Sequence, residues 1–343
     1  MERNPTPRQM AKGLLEGIVP PRPLFLPILF SLGAKVENVS LRAFLSNPTK
    51  ISSSLRQMRG HLRSDGLVCY FDPCLEVEAL GATLERVSDD QPPIIHWPLP
   101  AKMGELPKAL CSPEEAANRG RIPVAVEVIR RMNSLPNRDF LLMAGVTGPL
   151  TLAARITQLE QKEALRSEDL CDAAQELAAS VVTQMATTFL GAGADLIIIQ
   201  EEIVPIFSAG GSDAWANLLA PTINVVRFYQ ALPVLQFTTA GSVRENWDVI
   251  FRRQWDCVVC SPAEIMASQQ RTGTMRTSGV TLGISLPLEV FRPDESGGEG
   301  FHQNLLARIS ELRPAIITTA GDLPATSDMK YLIKVLEGIP RAV

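Results

Sequence analysis

Residues 189–239 constrain the fold more tightly than any other part of the chain. A helical segment ends in Gly191-Ala192-Gly193-Ala194-Asp195, and the run Leu196-Ile197-Ile198-Ile199 follows, closed by Gln200-Glu201-Glu202. After a glycine-rich turn and a second helical segment, Pro233 leads into Val234-Leu235-Gln236-Phe237-Thr238. Apolar residues without alternation, most of them β-branched, call for a strand covered on both faces, as in a parallel sheet. Parallel neighbours need a crossover, so the stretch reads as a βαβ unit with helices on its outside. Glu201 and Glu202 stand where the first strand runs out, at the sheet end where α/β proteins hold ligands. The plainer alternative leaves both as solvated loop residues.

The pattern recurs along the chain. Buried strand candidates fall at 24–29, 67–71, 140–146, 196–199, 234–238, 256–259, 280–284 and 315–319, most of them followed by a helical segment. Pro27 mars the first, because proline removes a ladder donor. Residues 6–17 form a helical extension with Pro7 in its first turn, and 82–87 with 94–99 flank the polar turn Asp89-Asp90-Gln91-Pro92 as a hairpin outside the main sheet. Eight such strands in a chain of 343 residues predict a single domain over residues 1–343, a (β/α)8 TIM barrel. An open doubly wound sheet is the weaker choice, since no Gly-x-Gly-x-x-Gly separates a strand from a helix. The segment 294–300, rich in Gly, Ser and acids, reads as a surface loop, with a lid as the alternative. Residues 302–312 read as helix.

Composition narrows the function classes. With 45% hydrophobic and 20% charged residues the chain is an ordinary globular protein. Its net charge of −4, and no basic run longer than Arg252-Arg253, argue against nucleic acid as a partner. Six cysteines without short-loop spacing suit reduced thiols in the cytoplasm. Met1-Glu2-Arg3-Asn4-Pro5 lacks a signal-peptide layout, and the apolar run at 24–32 is too short to span a bilayer. A soluble cytoplasmic protein without membrane partners is expected.

In a barrel the working residues sit at the carboxyl ends of strands. They are Asp72, Thr147, Glu201, Glu202, Thr238, Thr239, Ser261, Thr319 and Asp322: acids and hydroxyls, with no histidine. Converging carboxylates can hold a metal, transfer protons or bind the N–H groups of a ligand, and the residue types alone leave these open. His61, His96 and His302 fall on a helix, the hairpin and an outer helix, none beside a cysteine. Cys257 and Cys260 lie along a strand, where residues three apart face opposite sides, so a structural role is expected. Cys69 and Cys74 straddle the end of the second strand, Cys74 nearer the site. No Gly-x-Ser-x-Gly elbow starts a serine triad.

Four motifs then carry a resemblance: Phe71-Asp72-x5-Glu78-Ala79-Leu80-Gly81, Gly145-x-x-Gly148-Pro149-x-Thr151-Leu152-Ala153, Gly193-Ala194-Asp195 before a strand, and Pro233-Val234-Leu235 before the next. Together, from about residue 20 to 338, they resemble the uroporphyrinogen decarboxylase superfamily. That superfamily has a single (β/α)8 barrel and includes the decarboxylase of haem synthesis and corrinoid-linked methyltransferases. The resemblance puts the family's pyrrole-binding aspartate at Asp72. The arginine-rich signature after strand one is replaced by Ile28-Leu29-Phe30-Ser31-Leu32-Gly33-Ala34, the family tyrosine falls on Arg155, and the family histidine falls near Gly321. Without guanidinium partners a polycarboxylate substrate is poorly held. The zinc-binding His-x-Cys of the methyltransferases falls on Gln236 and Thr238, which do not replace imidazole and thiolate, so no metal is expected.

The resemblance therefore implies a methyltransferase that takes a methyl group from a small methylated substrate, such as an aryl methyl ether, to a corrinoid protein. The corrinoid is its implied cofactor, carried by that partner, and zinc is not. Asp72, Glu201 and Glu202 are the expected catalytic residues, and Thr147, Gln236, Thr238, Thr319 and Asp322 the substrate-binding ones. One of the adjacent glutamates can point into the mouth, and the Gly-Ala-Asp register selects Glu201. Its pKa is expected to be raised by desolvation and by Asp72, as befits a general acid. The alternatives are a decarboxylase-type lyase acting on a tetrapyrrole and a non-catalytic corrinoid- or tetrapyrrole-binding protein. A homodimer is one arrangement open to the chain.

Overall fold

The apolar runs form strands whose residues are buried almost without a break, as expected when helices cover one face and the barrel interior the other. The computed structural model describes residues 4–89, 92–98, 102–159, 166, 169–204, 207, 211–238, 250, 255–266, 280–292, 307, 309 and 311–337. The readings of 294–300 as a loop and of most of 302–312 as a helix fall outside them, as does Thr239. Strands β1 (Leu24–Phe25) and β2 (Gly66–Tyr70) come first, then β3 (Thr83–Glu85) and β4 (Ile94–His96). They are followed by β5 (Leu141–Thr147), β6 (Leu196–Glu201), β7 (Leu232–Phe237), β8 (Cys257–Cys260), β9 (Thr281–Leu286) and β10 (Ile316–Thr319). Eight of them form one parallel sheet in the order β1-β10-β9-β8-β7-β6-β5-β2, a (β/α)8 barrel. β3 and β4 pair antiparallel as a separate hairpin.

The ring closes between β2 and β1 through one residue. The Asp65 N–H donates to the Phe25 carbonyl at 2.9 Å, and its Oδ2 accepts the Phe25 N–H at 2.8 Å. Arg22 holds the same carboxylate with two bonds of 2.6 and 2.7 Å. β1 is shorter than its apolar run. Pro27 has no N–H for the ladder, and beyond it the Ile28 N–H turns to the Thr319 hydroxyl at 3.0 Å instead.

The helices that matter to the site pack outside the ring. α1 (Pro7–Leu15) is the N-terminal extension, started by a reciprocal Thr6–Gln9 capping box and buried through Met10, Ala11 and Leu14. α2 (Leu32–Val36), α3 (Leu41–Leu45) and α4 (Pro48–Leu62) follow β1, and α5 (Leu75–Ala79) follows β2. After the hairpin come α6 (Pro113–Ala116) and α7 (Ile122–Asn133), and α8 (Pro149–Ile156) follows β5. The 21-residue α9 (Asp172–Ala192) precedes β6, α10 (Gly211–Phe228) precedes β7, α11 (Pro262–Met266) follows β8 and α12 (Met329–Glu337) closes the described chain.

The Gly-Ala-Asp motif serves the far end of the barrel from the strand carboxyl ends. Gly193 ends α9 in the left-handed region with φ 109°, where a Cβ would lie 2.2 Å from the Asn133 amide nitrogen. Asp195 accepts the Leu142 N–H at 2.8 Å and pairs with Arg138, fixing β6 to β5. No helix among the described residues is long and apolar enough to cross a membrane.

Candidate functional site

A cavity of about 900 Å³ opens beside the carboxyl ends of β2 and β6. The hairpin forms part of its wall through Ile94 and Ile95, opposite polar residues of the strand ends. The structure brings together three of the predicted acids there: Asp72, Glu202 and Asp322. Cys74, the cysteine expected near the site, also lines it.

Asp72 follows β2 and is almost sealed, its side chain 2% exposed. Oδ1 accepts the Cys74 N–H at 2.9 Å. Oδ2 accepts from Arg86, just past β3, and from Arg121, at the start of α7, both at 2.6 Å. Arg121 also donates to Glu78 at 2.7 Å. Two guanidiniums on one carboxylate offset its charge and fix its direction. Glu202 pairs with Arg155 of α8, whose other nitrogen donates to the Pro73 carbonyl at 2.5 Å. The loops after β2 and β6 are tied together there.

Asp322 stands after β10. Both of its oxygens accept the Ser31 N–H, at 3.1 and 2.9 Å. Asp322 is partly exposed, and its side chain opens onto the cavity. Burial pushes its carboxyl up to about 7, the Ser31 bonds opposing and the charge of Asp72 adding to the rise.

Glu201 is placed differently from the sequence expectation. It lies on the helix side of β6, fully buried and off the cavity wall. Its carboxyl crowns the start of α8, accepting the Leu150 and Thr151 N–H groups at 3.1 and 2.9 Å and the Thr151 hydroxyl at 2.6 Å. The Trp215 ring N–H lies 3.4 Å away. These are helix donors that no intrahelical carbonyl can reach, so the acid acts as a cap supplied from another element. Burial pushes Glu201 up to about 7, against those bonds. The rise matches the sequence expectation in direction, and it comes from desolvation, not from Asp72.

This capping also accounts for the Gly148-Pro149-x-Thr151 motif. A Cβ on Gly148 would fall 2.2 Å from the Glu201 carboxyl carbon. Pro149 occupies the first helical position, where a missing N–H is harmless. The Thr151 hydroxyl donates to Glu201 and accepts the Glu202 and Ile203 N–H groups at 2.9 and 3.0 Å.

Four more predicted residues belong to the framework. Thr147 turns to the buried Glu76, donating its N–H at 2.9 Å and its hydroxyl at 2.8 Å, away from the cavity wall. Burial raises the pKa of Glu76. Thr319 is fully buried, its hydroxyl donating to the Gly321 carbonyl at 2.7 Å and accepting the Ile28 N–H. Gln236 is fully buried and donates to the Thr319 carbonyl at 2.8 Å, while its Oε1 has no partner among the described residues. Thr238 follows β7, its N–H donating to the Glu201 carbonyl at 3.2 Å. The carboxamide and hydroxyl of Gln236 and Thr238 do not fit the zinc that activates thiols in the resembled branch. Among the described residues no group of three or more His, Cys, Asp or Glu could hold a metal ion.

Sequence reasoning looked for guanidiniums after strand one and missed those the structure supplies. Arg86, Arg121 and Arg155 arrive from the hairpin, α7 and α8. One signal was available: Arg155 is the single charge in the Pro149–Ile156 helix, whose other residues are apolar except Thr151.

A family model described as uroporphyrinogen decarboxylase (URO-D) matches residues 10–235. The chain belongs to the uroporphyrinogen decarboxylase family. Among curated proteins it is similar to the methylcobamide:CoM methyltransferase MtaA of Methanosarcina barkeri (strain Fusaro / DSM 804), 27% identical over 135 residues. That match spans 38% of this chain and 39% of the relative's length. A second Methanosarcina barkeri MtaA is 26% identical over the same shares. Among solved structures, a methyltransferase from Methanosarcina mazei superposes with a TM-score of 0.74 at 16% identity, over 97% of this chain and 98% of that one. A B12-independent methionine synthase from Shewanella sp. W3-18-1 gives 0.53 at 11% identity, over 87% of each chain. Both structural likenesses concern the fold alone. Gln236, Thr238, Thr319 and Asp322 lie beyond the residues the family model matches.

Proposed function

We propose that this family member is a methyltransferase, taking a methyl group from a small donor held in the cavity, such as an aryl methyl ether, to a corrinoid carried by a partner protein. The similarity to proteins named methylcobamide:CoM methyltransferases supports the reaction class. One observation of the site carries the mechanism: Asp322 lies on the cavity wall with its carboxyl pushed up to about 7 by burial. The corrinoid supplies the nucleophile that accepts the methyl group. The chain itself must hold the donor, keep it aligned and place a proton on the oxygen that leaves. Asp322 is protonated often enough near neutrality to give that proton, and the single Ser31 N–H that its two oxygens share holds it in direction. Asp72, fixed by two arginines, lines the same cavity and orients the donor.

The acid role assigned to Glu201 from its position in sequence passes here to Asp322, since Glu201 is spent on capping α8. The decarboxylase-type reading is the weaker one, because Arg86 and Arg155 each already face an acid of the wall. Incubating the purified protein with a reduced corrinoid protein and methoxyarenes tests the proposal, with phenol release as the readout. Corrinoid-dependent phenol release, lost in Asp322→Asn, is expected. Coproporphyrinogen formation from uroporphyrinogen without any phenol release would overturn it in favour of the lyase, and corrinoid binding without turnover would favour a binding protein.

A further inference from the structure

We infer that Gln236 is a positioning residue for Asp322, acting across the barrel through the Thr319 carbonyl at the root of the turn that carries the acid. This role rests on the reading of Asp322 as the proton donor of methyl transfer. A regular ladder joins β1 to β10 as far as Ile317. The Leu24 N–H donates to the Ala315 carbonyl and the Leu26 N–H to the Ile317 carbonyl, both at 2.8 Å. The next rung would join Ile28 to the Thr319 carbonyl. The Ile28 N–H takes the Thr319 hydroxyl instead, at 3.0 Å. A buried carbonyl left out of its ladder needs another donor. The Gln236 carboxamide supplies one at 2.8 Å, from 83 residues away in the chain.

β8 and β9 separate β7 from β10 in the sheet, so this bond spans the barrel interior. Gln200, paired in register with Gln236 on the neighbouring strand, reaches over to the Ala320 carbonyl at 3.4 Å. Two carboxamides therefore hold consecutive carbonyls just before Asp322. The Thr319 hydroxyl donates to the Gly321 carbonyl at 2.7 Å, and the Asp322 carboxyl accepts the Ser31 N–H. Hydrogen bonds fix this turn more than packing does. Among the described residues a Cβ at Gly321 would meet only the Leu288 side chain, at 3.9 Å.

Gln236 is also an unfavourable choice for a core position. It is fully buried, and its Oε1 has no partner among the described residues. A site that served packing alone would favour an apolar side chain of that length, because an unpaired buried acceptor destabilises the fold. What the carboxamide adds is a donor aimed at the strand end that leads to Asp322.

Hydrogen exchange read by mass spectrometry on the whole protein, without corrinoid, tests the hold on the acid. Gln236→Met keeps the length and removes the donor. The peptide containing Ser31 should then exchange about 2- to 10-fold faster, the worth of one hydrogen bond, while α9 exchanges as in the parent. Thr319→Val removes the hydroxyl arm of the same turn and should act alike, which keeps the test open if Gln236→Met fails to fold. Thr319→Ser retains the hydroxyl and should exchange like the parent. In corrinoid-dependent phenol release, Gln236→Met should lower kcat about 10- to 100-fold with KM nearly kept, since the acid is displaced and the rest of the cavity wall is not. Unchanged exchange at Ser31, faster exchange spread evenly over the chain, or a parent-like kcat in a variant with a loosened Ser31 would overturn the inference. Faster exchange at Ser31 with no phenol release even from the parent upholds the hold on Asp322, and the failure then lies with methyl transfer.

Discussion

Replacing Glu201 with Gln separates a capping carboxyl from a catalytic one. In the folded protein this group accepts two backbone N–H groups and a hydroxyl within 3.1 Å, yet burial still raises it from 4.5 to about 7. Between those values the folded chain keeps a proton that the unfolded chain releases. The native state then binds more protons, so stability falls as pH rises through the window. At 1.36 kcal/mol per pH unit, the gap from 4.5 to about 7 is worth roughly 3 kcal/mol. That contribution is complete below 4.5 and lost above about 7. Glutamine does not titrate, and its amide resembles the protonated acid in shape and in carrying one donor side. The variant should therefore match the parent near pH 4.5 and exceed it by roughly 3 kcal/mol at pH 8. Urea unfolding of both proteins at the two pH values, followed by circular dichroism, reads this difference. Turnover should persist, because Glu201 does not line the cavity. A stability difference that does not change with pH would refute the account of the carboxyl, and a well-folded variant without turnover would return Glu201 to the chemistry.

Gly148→Ala forces a Cβ to 2.2 Å from the Glu201 carboxyl carbon, so a loss of about 1–3 kcal/mol in urea unfolding is expected, and unchanged stability would show that the carboxyl can move aside. Asp322→Asn should lower kcat by about 10²–10⁴-fold with donor binding retained. In the parent, the rate should decline as pH rises past about 7 and the acid loses its proton; a flat profile from about pH 6 to 8 would contradict its role. Asp65→Asn leaves the half-buried Arg22 guanidinium without its charged partner at the point where the ring closes, which should cost about 1–3 kcal/mol, and a parent-like unfolding midpoint would show that closure rests elsewhere.

Much of the scaffold is legible from residue order. Unalternating runs such as Leu196-Ile197-Ile198-Ile199 can be satisfied only between two apolar layers, and their spacing leaves room for a crossover helix each time. Local chemistry marks the ends: Thr6 and Gln9 start α1, Gly193 stops α9, and Pro27 cuts β1 short. The hairpin 82–99 and the position of Asp72 at a strand end belong to the same class of local information.

The site is another matter. A strand buried on both faces carries no alternation, so the runs before Glu201 and Glu202 hold no sign of which acid faces the helices and which the mouth. Parity was decided by the packing of β6 against α8, where unpaired N–H groups of the helix start drew Glu201 outward. The arginines were equally hidden, since residues 86, 121 and 155 meet Asp72 and Glu202 only after the hairpin, α7 and α8 have closed around the cavity. Desolvation belongs to the folded state too: Asp322 is an ordinary acid in the chain and acquires a carboxyl near 7 only when the barrel encloses it. The sequence by itself determined the eight strands, their order and the residues at their ends; the tertiary structure alone decided which of those ends share a cavity, because that depends on contacts between residues far apart in the chain.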